Sequence, residues 1–139
     1  MLSLSTARKL KDAGLVWNPA AFDFFAVPDR GLDDHLFVIS QMPAAIATLQ
    51  GQPVVSFEGA VEWALDFIAT VDVVWVPTEA QLREHLAARL MTQAEASLQL
   101  RSTADRCWCE IQFSGRALVF EAANGSEAYA AALLHLLAG

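Results

Sequence analysis

Hydrophobic and polar positions follow two periods along this chain, and the change from one to the other is sharpest between Val71 and Leu90, VDVVWVPTEAQLREHLAARL. A β-branched run ends at Trp75, Val76 and Pro77, and Pro77 cannot donate to a strand ladder, so it closes the extended segment. Thr78 then stands as N-cap with Gln81 three residues on, the capping-box spacing that satisfies two orphan backbone donors. Glu79 puts negative charge in the first turn, where the helix dipole favours it. Leu82, Leu86 and Leu90 recur every fourth residue and give the helix one apolar stripe.

Period two returns from Ala96 to Glu121 and predicts a three-stranded antiparallel meander. Ala96, Leu98 and Leu100 point one way, with Ser97, Gln99 and Arg101 opposite. In the next strand Cys107, Cys109, Ile111 and Phe113 share a face against Trp108, Glu110 and Gln112. A two-residue turn at Ser114-Gly115 pairs Ile111 with Leu118, Cys109 with Phe120 and Trp108 with Glu121. A slip of one residue would mix the faces, so the pattern itself selects the register. Asn124-Gly125-Ser126 then turns the chain. Ser126 is expected as N-cap of a final helix, Glu127 to Leu137, with Tyr129, Ala130, Leu133, Leu134 and Leu137 inward and Glu127, Ala131 and His135 outward.

The first half is less regular. Ser5 or Thr6 is expected to open a short helix through Ala13, stopped by Gly14. Trp17 lies in a connector. Phe22 to Val27 reads as a strand closed by Pro28 and the turn residues Asp29, Arg30 and Gly31, and Leu36 to Ser40 reads as its antiparallel neighbour. Met42 to Leu49 suits helix by its alanines and strand by Ile46 and Thr48. Val54 to Ser56 reads as extended. Phe57 to Thr70 is expected to be a helix, with Val61, Ala64, Leu65 and Ile68 inward, Trp63 and Phe67 flanking, and Glu58, Glu62 and Asp66 on the other face. The expectation is a single α+β domain spanning residues 1–139, its antiparallel sheet carrying helices on one face.

Composition changes this picture in one respect. Apolar residues make up 55% of 139, and mean hydropathy is +0.35. That excess over the usual share favours self-association through an apolar face. Nine basic against sixteen acidic residues give a net charge of -7, with no cationic cluster to hold a phosphate backbone, so nucleic acid and anionic membranes are disfavoured partners. His35 to Phe57 lacks charge, but Gln41, Pro43, Gln50, Gly51, Gln52 and Pro53 interrupt it, against a membrane span. The N-terminus lacks the apolar core of a signal peptide. Together these features favour a cytosolic, bacterial-type protein.

Few residues suggest chemistry. Cys107 and Cys109, one residue apart on a strand, could chelate a soft metal, yet no second pair completes a zinc set, and the alternation places both sulfurs in the core. Asp33, Asp34 and His35 are weak metal candidates in a loop. His85 and His135 sit on separate helices without a motif. Glu58, Glu62 and Asp66 have the spacing of any solvated helix face. No nucleophile elbow, Walker loop, dinucleotide-binding glycine pattern or HExxH is present. No cofactor is implied. Trp63, Trp75 and Trp108 are the candidate interface or ligand residues. Trp108 falls on the polar face of its strand, where the stem of Arg101 or a partner chain would cover it.

The step Asp72-Val73-Val74-Trp75-Val76-Pro77-Thr78, followed by Gln81-Leu82 and Leu86, resembles a motif of small uncharacterised bacterial and phage-associated α+β proteins. In these an aromatic-[Leu/Val]-Pro-Thr step introduces a leucine-bearing helix. Leu10-Lys11-Asp12-Ala13-Gly14 is similar to their opening helix, and the Trp-bearing hairpin before Ser126-Glu127-Ala128 is similar to their ending. The resemblance implies the fold and no catalytic residues.

Three functions remain open. The first is a non-enzymatic protein-interaction module, expected as a homodimer. The second is a small-molecule binder with a pocket lined by Trp63, Trp75 and phenylalanines. The third is a metal-dependent enzyme using Asp33, Asp34 and His35.

Overall fold

The computed structural model describes residues 1–28, 36–39, 44–49, 52–57, 67–69 and 73–139. In chain order the elements are α1 (Leu4–Asp12), β1 (Phe24–Ala26), β2 (Phe37–Val38), β3 (Ala44–Leu49), β4 (Gln52–Phe57), β5 (Phe67–Ala69), β6 (Val74–Val76), α2 (Glu79–Leu90), β7 (Ser97–Ser102), β8 (Cys107–Phe113), β9 (Arg116–Ala122) and α3 (Gly125–Ala138). They fall into two compact units, Met1–Leu15 with Pro77–Gly139, and Val16–Val76.

In the first unit β7, β8 and β9 form an antiparallel sheet in that order. Ile111 pairs with Leu118, Cys109 with Phe120 and Trp108 with Glu121, the register that the alternation predicts. Ser114 (φ 49) and Gly115 (φ 76) both lie at positive φ, as the two-residue hairpin turn matched to strand twist requires. Cys107, Cys109 and Ile111 are buried, and α3 packs across β8 and β9, with α1 and α2 packed on α3. The result is an α+β arrangement with helices on the sheet's inward face.

Capping fixes where each helix begins. Thr78 Oγ1 accepts from the Gln81 amide at 3.2 Å, while the Thr78 amide donates to Gln81 Oε1 at 2.9 Å. Leu82, Leu86 and Leu90 are fully buried. Two expected caps are corrected. α3 is capped by Asn124, whose Oδ1 accepts from the Glu127 amide at 2.9 Å, and Ser126 is buried inside the helix. Asn and Ser cap comparably, so composition alone did not separate them. α1 is capped by Ser3 rather than Ser5 or Thr6. The Glu127 carboxylate explains the shift: it accepts from the Ser3 amide and from Thr6 Oγ1, both at 2.8 Å, and so holds the start of α1 to the first turn of α3. Gly14 takes φ 101 just beyond α1, the left-handed stop expected there.

The second unit holds two three-stranded antiparallel sheets, β2-β1-β6 and β3-β4-β5. β1 pairs with β2 as expected from the sequence, and with β6 on its other side. Phe25, Val27, Ile39 and Val73 form the core on one face, with Trp17 and Phe37 packed against them. Residues 44–49 resolve to strand, pairing along their whole length with 52–57. The helix expected over Phe57 to Thr70 is overturned at both ends. Phe57 belongs to β4, and Phe67–Ala69 pairs with Val54–Ser56. Long-range ladder bonds thus override the helical spacing assigned to residues 67–69. Residues 58–66, and with them Trp63, Glu58, Glu62 and Asp66, lie outside the described residues. The strand expected from Phe22 begins only at Phe24, because Phe22 itself takes φ 71.

The cap of α2 is directly testable. Thr78→Ala should lower unfolding stability by about 1 kcal/mol, read as a reduced urea midpoint at unchanged slope.

Candidate functional site

Several chemically suggestive residues have a definite place among the described residues. Both cysteines are free. Cys109 is fully buried on the inward face of β8, where burial pushes its thiol up from the ordinary 9.0 to about 11. Such a thiol is neutral near pH 7 and a poor nucleophile or metal ligand, since the thiolate is the reactive form. Cys107 shares that face and lies 3.3 Å from Ser102 Oγ. Tyr129 on α3 is also raised, first by burial, then by the negative charge that Cys109 would carry, with Arg83 acting in the opposite direction.

Trp75 belongs to the interior of the second unit. It is 8% exposed and stacks on Trp17 at 6.3 Å between ring centroids. Trp17 in turn meets Phe25 at 6.0 Å, and Phe25 meets Phe37 at 5.5 Å. Trp75 thus ends a row of packed rings. Trp108 is half-buried on the outward face of β8. The guanidinium carbon of Arg101, its cross-strand partner, lies 5.0 Å from the Trp108 ring centroid. The cover expected from Arg101 is therefore present as a cation–π contact. Trp63, Asp33, Asp34 and His35 lie outside the described residues, so the structure places neither the third aromatic candidate nor the candidate metal loop. Among the described residues no group of three or more His, Cys, Asp or Glu side chains could hold a metal ion, and no helix is long and apolar enough to cross a membrane.

One polar group carries more structure than the sequence suggested. Asp23, only 4% exposed, accepts through Oδ2 from Trp17 Nε1 at 2.9 Å and from the Ala20 amide at 3.0 Å. Its carbonyl accepts from the Ile39 amide, and Ile39 returns its own carbonyl to the Phe22 amide. Asp23 thereby sets the indole of Trp17 against the core and ties the approach to β1 to the end of β2. A lone Asp within an aromatic run was the available signal; its burial depends on partners six and sixteen residues away.

Several large apolar side chains are exposed. Beside β2 stand Phe22 at 61%, Val38 at 49% and Leu36 at 42% exposure. Phe37 points to the core, so alternation puts Leu36 and Val38 on the other side of the sheet, opposite Phe24. Phe22 holds an αL conformation that bulky residues rarely adopt. On β9 of the first unit, Val119 is 57% exposed. The groove between α2 and α3, lined by His85, Arg89, Thr92, Gln93 and Leu136, encloses about 440 Å³ but is shallow and wide open. His135, on the exposed side of α3, tilts against Phe120 at 5.6 Å.

No family model matches the chain, and no curated protein or solved structure does.

Two measurements follow from these environments. Below pH 9 the Cys109 thiol is neutral in folded and unfolded chains alike, and its burial costs nothing. Between 9 and about 11 the unfolded chain releases a proton that the folded chain keeps. Stability should therefore fall across that window, with this group contributing at most about 1.4 kcal/mol per pH unit, and Cys109→Ala should flatten the slope in urea titrations. Phe22→Asn should leave the melting temperature unchanged or raise stability by up to about 1 kcal/mol, because Asn tolerates the left-handed backbone.

Proposed function

We propose that this chain is a non-enzymatic protein-interaction module that self-associates as a homodimer. The observation that carries this reading is the exposure of Phe22, Leu36, Val38 and Val119, while Trp75 and both cysteines are buried. Scattered exposed apolar residues are ordinary, but a strained, exposed Phe beside two exposed aliphatics at one sheet edge is the composition of a contact surface. The net charge of -7 supports a protein partner over nucleic acid. Free, buried thiols support a reducing, cytoplasmic setting. A ligand pocket draws less support, because Trp75 is stacked on Trp17.

Sedimentation velocity over a rising concentration series tests the reading. The expected result is a shift from one-chain to two-chain mass through the micromolar range. A species that sediments as one chain at every concentration would remove it.

A further inference from the structure

We draw no further inference here: the strongest candidate, the outer edge of β9, which no strand pairs among the described residues and where Val119 is exposed, carries nothing because nothing in the structure shows what covers it.

Discussion

The register of β8 between its two neighbours is the constraint on which the first unit depends. Successive side chains on a strand face opposite ways, so one choice of pairing sends Cys107, Cys109 and Ile111 beneath α3 and holds Trp108, Glu110 and Gln112 outward. With that choice made, Leu133 and Tyr129 have a surface to close on, and Arg101 is brought across the ladder to cover the Trp108 ring. A single-residue slip would expose the core row and bury two polar side chains. That penalty is large against the marginal stability of a small domain.

Carboxylates do the fastening around this core, at places where helix dipoles and orphan amides reward negative charge. Glu127 lies in the first turn of α3 and also receives the Ser3 amide and the Thr6 hydroxyl at the start of α1. Glu79, in the first turn of α2, rests against Gly125 at the start of α3 so closely that a Cβ there would lie 2.6 Å from its Oε1. Three helix beginnings are thus tied by two acidic side chains and one close glycine approach. Asp23 does comparable work in the second unit, where a buried carboxylate is tolerated because an indole N–H and a backbone amide satisfy it.

Glu127, Asp23 and the indoles of Trp17 and Trp108 are held in clasps and cover. Among the exposed large apolar side chains, Phe22, Leu36 and Val38 stand beside β2 and Val119 on β9. A strand edge offers both backbone hydrogen-bonding groups and apolar contact.

The chain's own sequence determined whatever is encoded within a few residues. The capping box at Thr78 and Gln81, the leucine stripe of α2, the stop at Gly14 and the β8-β9 register needed only local spacing and period-two alternation to be legible. Tertiary structure decided the rest. Ser3 rather than Ser5 or Thr6 caps α1 because a carboxylate 124 residues away reaches its amide. Asn124 rather than Ser126 caps α3 because Ser126 is drawn into the buried face. Phe57 and residues 67–69 became strand, against their helical spacing, because ladder partners were available, Ala44 for Phe57 and residues 54–56 for 67–69. The cover of Trp75 was not visible beforehand: only the stacking of Trp17 on it, from far along the chain, makes that ring interior. The physical reason is the same throughout. Capping and alternation are short-range and written in neighbouring residues, whereas burial is a property of what folds back from far along the chain.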